Sequence, residues 1–141
     1  MGTKFPHTDQ PVQVRTVLMR HDAPDGVHFD WMIEDPAESQ GRLWTARVPI
    51  PADQWHDVGR WRIEPIGRHR RVYLTYEGPL TDGRGTLTRV DQGVCRVVQW
   101  SDDGIVIDVQ MSAFEGVVEV AQAHDGQWWA TGGRGKYPDT Q

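Results

Sequence analysis

Fifteen consecutive residues, Arg20-His21-Asp22-Ala23-Pro24-Asp25-Gly26-Val27-His28-Phe29-Asp30-Trp31-Met32-Ile33-Glu34, hold the side chains best suited to chemistry. His28 and Asp30 are two positions apart, so on a strand both leave the same face. Pro24, Asp25 and Gly26 carry the residue types of a tight turn. A hairpin through that turn lets His21, at the end of the first strand, meet His28 and Asp30. Two imidazoles and one carboxylate converging this way make a ligand set for a divalent metal, with positions left open for substrate. The alternative is a scatter of surface polar residues on a β-protein.

A second group lies downstream in His69-Arg70-Arg71-Val72-Tyr73-Leu74-Thr75-Tyr76-Glu77-Gly78. Read as a strand, His69 and Tyr73 share parity and stand ~13 Å apart, at ~3.3 Å per residue. That is too far for one metal but suited to flanking an extended phosphodiester. A histidine beside a metal-bound phosphate can donate a proton to its oxygens or to the leaving group, and nearby arginines can neutralise developing charge. The plainer readings are a hydrogen-bonded surface histidine and a core tyrosine.

These groups need rigid elements to hold them. Short runs rich in Val, Ile, Thr, Trp and Tyr read as strands over 12–20, 27–34, 42–48, 60–64, 71–76, 85–90, 94–100, 105–111, 116–121 and 127–131. Asp82-Gly83, Asp103-Gly104 and Asp125-Gly126 are hairpin-type turn signals. Only Pro51 to Val58, followed by Gly59, reads as a short helix. Many short strands at close spacing predict an all-β fold, a small antiparallel β-barrel with one or two short helices. The expected organisation is one barrel domain over 12–131, between a flexible N-terminus (1–11) and a flexible tail (132–141).

The chain has 141 residues and a formal net charge of −5, which speaks against a broad nucleic-acid-binding front. Charge is nevertheless concentrated. Arg60, Arg62, Arg68, Arg70 and Arg71 fall within one stretch against Glu64 alone. Of 15 basic residues only Lys4 and Lys136 are lysine, leaving 13 arginines. Arginine's planar fork suits phosphate, although a codon preference gives the same excess. Seven tryptophans either fill the barrel or stack nucleobases. The lone Cys95, the lack of an apolar leader and the lack of a membrane-length apolar run predict a soluble, cytoplasmic protein.

The order of these motifs resembles the 3′-phosphoesterase domain family of bacterial DNA ligase D, in its small stand-alone form. The matching residues are His21-Asp22, His28-Phe29-Asp30 with Glu34, Trp44 with Val48-Pro49, and His69, Tyr73, Glu77 and Gly78. Gly83-Arg84-Gly85-Thr86 then leads to Val90-Asp91-Gln92-Gly93. The likeness spans roughly residues 16 to 122. It implies a small β-barrel with manganese held by His21, His28 and Asp30, and His69 at the scissile phosphate with Tyr73 nearby. The implied activity, in DNA repair, removes a terminal ribonucleoside or a 3′-phosphate from a DNA or RNA 3′ end. A repair ligase or polymerase is the implied partner, and no membrane is involved.

Three departures accompany the likeness. The loop between His21 and His28 is one residue longer than the family's. The phosphate-clamping arginine two residues beyond the metal aspartate is Met32, and the lysine after the Val-Pro step is Ile50. Arg47, Arg70 and Arg71 are the candidates to supply that charge, and Met32→Arg is expected to raise turnover. Two other readings remain. One is a non-haem iron oxygenase with His28, Asp30 and His69 as its facial triad. The other is a non-catalytic protein that binds metal and a nucleic-acid end.

Overall fold

A computed structural model describes residues 12–38 and 40–132. The flexible N-terminus expected at 1–11 lies outside the described residues, as does the tail expected at 132–141 except for Gly132, which ends a strand. Nine strands alternate with tight turns: β1 (Val12–Ala23), β2 (Gly26–Glu34), β3 (Leu43–Val48), β4 (Arg60–His69), β5 (Gly78–Pro79), β6 (Thr86–Ser101), β7 (Gly104–Met111), β8 (Glu115–Gln122) and β9 (Trp128–Gly132). All pairings are antiparallel. Eight strands run in the order β1-β2-β3-β4-β9-β8-β7-β6 and close through a β1–β6 pairing. Closure removes the exposed edges that an open sheet would present. No described helix is long and apolar enough to cross a membrane.

The barrel interior is dominated by aromatic residues. Trp31, Trp55, Trp61, Trp100 and Phe114 are buried with Ile107, Val109, Val118 and Val120, and Trp44 and Trp128 pack against them. Trp55 comes from the one α-helix among the described residues, α1 (Trp55–Val58), where it stacks on Trp61 at 4.6 Å between ring centroids. The tryptophans are therefore mainly core, with Trp129 the exception. Cys95 is buried in this interior, and loss of hydration pushes its thiol up to about 12, so it stays protonated and unreactive.

Two elements differ from the expectation. The stretch 71–76 is not a strand: Arg71–Leu74 forms a 3₁₀ turn. Tyr73 and Leu74 are adjacent yet both buried in one cluster. A strand would send them to opposite faces. The two strands expected at 85–90 and 94–100 are one strand, β6, which continues through Gly93. Its first residues pair with β5 on one side and β1 on the other, and its later residues pair with β7.

This arrangement places a second, smaller core on the outside of the barrel. Val17, Met19, Met32, Leu43 and Leu87 face outward from the sheet and are covered by Tyr73 and Leu74, with Tyr76 and Leu80 packed alongside. The hairpin β1–β2 is thus buried on both faces around Leu18 and Trp31, which explains the unbroken Val-Leu-Met and Trp-Met-Ile runs.

Candidate metal centre

The trio stands at the rim of that outer core. Only Pro24 and Asp25 separate the paired residues Ala23 and Gly26, and Gly26 takes φ +134°, a value favouring glycine. The resulting register sets His21 directly opposite His28, with Asp30 opposite Met19. All three side chains leave the outer face together.

His21 Nδ1 lies 3.0 Å from His28 Nε2 and 3.8 Å from Asp30 Oδ2. His28 Nε2 lies 3.5 Å from Asp30 Oδ1. One ligand atom from each residue falls within 4.8 Å of the other two. His21 Nε2 sits 2.7 Å from the Arg84 carbonyl. A carbonyl only accepts, so Nε2 carries the hydrogen and the Nδ1 lone pair is left facing His28. Gly85 makes this contact possible: a Cβ there would lie 1.9 Å from the Asp22 carbonyl oxygen. Without a side chain at 85, the 84–86 backbone closes onto the end of β1. The Arg84 carbonyl is the one functional group that reading residue types misses. The Gly83-Arg84-Gly85 turn was its only signal.

The donor set fits a divalent cation. Asp30 is 4% exposed, and its Oδ1 makes no hydrogen bond among the described residues. A buried carboxylate oxygen without a donor is costly and calls for a counter-charge. The two facing ring nitrogens, 3.0 Å apart, could ligate one ion together with Asp30. In the metal-free protein His28 must instead donate its Nε2 hydrogen to His21, so ligation through Nε2 requires the other tautomer, with the hydrogen on Nδ1.

His69 ends β4, opposite Leu43, and its Nδ1 is buried without a hydrogen-bond partner among the described residues. It lies close enough to feel Asp30 and His21 but does not belong to the three-donor group. The 3₁₀ turn folds Tyr73 back so that its ring centroid is 6.2 Å from that of His69, far nearer than straight-strand spacing allows. Tyr73 is buried in the outer core, and its hydroxyl accepts a bond from Arg70 at 3.4 Å. Glu34 pins this cover by pairing with Arg71, and Asp35 pairs with Arg68 at 2.6 Å. Arg71 is thus held by a carboxylate. Arg70 is exposed and lines a cavity of about 300 Å³ with Tyr73, Tyr76 and Arg84. Arg47 is exposed, faces outward opposite Asp30, and has no carboxylate partner among the described residues. Of the three arginines named from the sequence, Arg47 is the one paired in register with a member of the trio, and its charge bears on His28.

Burial lowers the His28 imidazole below its ordinary 6.5, with Asp30 pulling the other way and Arg47 and His21 adding to the depression. Burial lowers His69 too, against the pull of Asp30. Both groups hold fewer protons folded than unfolded. Their stabilising contribution is therefore full above pH 6.5 and is lost as pH falls from there through the folded-state values. The urea midpoint of metal-free protein is expected to drop between about pH 7 and about pH 5.5, and His69→Gln should flatten that slope. An equal slope in both proteins would assign the acid sensitivity elsewhere.

Met32 is 1% exposed within the outer core. A guanidinium at that position must enter or displace this apolar cluster, so Met32→Arg carries a cost the sequence does not reveal. It is expected to destabilise the fold by about 1–3 kcal/mol in urea titration. Unchanged stability would mean that the cluster opens freely. No family model matches this chain, and no curated protein matches it.

Proposed function

We propose that the protein is a metal-dependent phosphoesterase acting on nucleic-acid 3′ ends, removing a terminal ribonucleoside or a 3′-phosphate during DNA repair, alongside a repair ligase or polymerase. The observation that carries this reading is the pairing of a three-donor group with a separate, half-buried histidine. His21, His28 and Asp30 aim donor atoms at one point, while the unpartnered His69 Nδ1 stands beside them. The oxygenase reading needs His69 where the geometry puts His21.

His21, His28 and Asp30 would hold a divalent ion, with manganese the ion inferred, which would supply charge to polarise a phosphoryl oxygen and to ease deprotonation of water. The chain supplies the rest. His21 is oriented by the Arg84 carbonyl, and Asp30 contributes negative charge from a dry site. Neutral His69 can take up a proton as a phosphate approaches, because a bound anion favours the imidazolium. It can then deliver that proton to the departing oxygen, the 3′ oxygen of a 3′-phosphate or the 5′ oxygen of a terminal ribonucleoside, as the P–O bond breaks and water adds to phosphorus. Arg47 offers positive charge to the phosphoryl oxygens.

Met32 and Ile50 favour a second reading, binding without cleavage. One is sealed in the outer core and the other packs on the barrel interior, so neither position supplies a cation. Incubating 3′-phosphorylated and ribonucleotide-ended primers with the protein, with and without manganese, separates the two. Manganese-dependent release of phosphate or nucleoside supports the enzyme. Retention of intact primer in a manganese-dependent complex supports the binder.

A further inference from the structure

The geometry points to a track for single-stranded nucleic acid on the outer face of β4 and β9, formed by Arg62, Arg60 and Trp129 and leading to His28. It rests on the reading of the trio as a site for nucleic-acid ends, and supplies the path by which a strand reaches it.

Three observations carry it. First, Arg60, Arg62 and Glu64 alternate outward along β4; Arg62 pairs in register with Trp129, and Glu64 with Arg47. Second, Trp129 is the tryptophan left outside the barrel core. The Arg60 guanidinium carbon sits 3.7 Å from its ring centroid and that of Arg62 5.5 Å away. Third, Arg47, Arg60 and Arg62 have no carboxylate oxygen within 4.0 Å among the described residues, whereas Arg20, Arg68, Arg71, Arg89 and Arg96 each have one. In a chain of net charge −5, three cations held in no ion pair beside an aromatic face, with Glu64 the one carboxylate in their row along β4, suit a polyanion that carries rings. A cavity of about 220 Å³ shared by His28, Arg47, Arg62 and Glu64 joins this run to the trio.

The division of labour follows from the groups. Arg60 and Arg62 neutralise backbone phosphates, and a base takes the place of the Arg60 guanidinium on the Trp129 ring, freeing that cation for phosphate. Stacking needs an unpaired base, so a single strand is the occupant.

Fluorescence anisotropy of a short 5′-fluorescein single strand with a 3′-hydroxyl end, against the full chain without added metal, tests this. The double variant Arg60→Gln, Arg62→Gln is expected to bind at least about tenfold more weakly. Its slope of log affinity against log salt should fall by about 1.4, at ~0.7 per phosphate contact. Trp129→Leu should weaken binding by about 5- to 100-fold with the slope unchanged. Arg96→Gln, on β6, should bind as wild type does, and manganese affinity in every variant should match wild type, showing that each folds. Wild-type-like binding by both the arginine and the Trp129 variants, no binding by wild type, or a duplex bound as tightly as the single strand would each overturn the track. The two claims separate on a 3′-phosphate strand with manganese. If it stays uncut while the variants still lose the strand, the track stands and the phosphoesterase falls. If it is cut and the variants neither lose affinity nor raise KM, the track falls alone.

Discussion

Alanine at His69 should lower manganese-dependent release of phosphate from a 3′-phosphorylated primer by ~10²–10⁴, the usual cost of losing a proton-transfer group. Manganese affinity should stay within a few-fold of wild type, because His69 lies outside the three-donor group. The substitution also removes a half-buried imidazole whose Nδ1 has no hydrogen-bond partner among the described residues, so the fold should tolerate it. The pH–rate profile gives a check that a structural role would not pass. One limb of the profile reports the ionisation of His69, and that limb should vanish in His69→Ala. If cleavage persists at wild-type rate, another group moves the proton.

Alanine at His28 should reduce manganese affinity by more than about 100-fold, since even groups that only orient a metal ligand cost 10- to 100-fold when removed. His28 supplies one of two nitrogens 3.0 Å apart, and Asp30 cannot replace it. Titration calorimetry against manganese measures this directly. His124→Ala, at an exposed position of the β8–β9 turn, should titrate as wild type does. Binding should also weaken as pH falls through the imidazole range, since protons compete for the same lone pairs. Burial lowers His28, so the competition begins below its ordinary 6.5.

Much of the barrel was legible because alternation and Asp-Gly turns are local signals. The convergence of His28 and Asp30 followed from their two-residue spacing, and that of His21 from the short turn between Ala23 and Gly26. What could not be read depends on tertiary contacts. Val72 to Tyr76 has strand-type residues, yet the outer core draws Tyr73 and Leu74 in together and bends the segment into a 3₁₀ turn. Gly93 resembles a break, but β6 runs through it because both β1 and β7 pair there. The Arg84 carbonyl was invisible because a backbone group has no residue type. Arg71 looked available for phosphate, and only the fold shows Glu34 holding it.

The account turns on which histidine completes the metal site with His28 and Asp30. Manganese-dependent thermal stabilisation of wild type, His21→Ala and His69→Ala, measured side by side, answers that. At a metal concentration 100 times Kd, binding should stabilise wild type by about 2.7 kcal/mol, seen as a rise in Tm. The account predicts the same rise in His69→Ala and none in His21→Ala. A rise retained in His21→Ala and lost in His69→Ala would make His69 the ligand and contradict the phosphoesterase assignment.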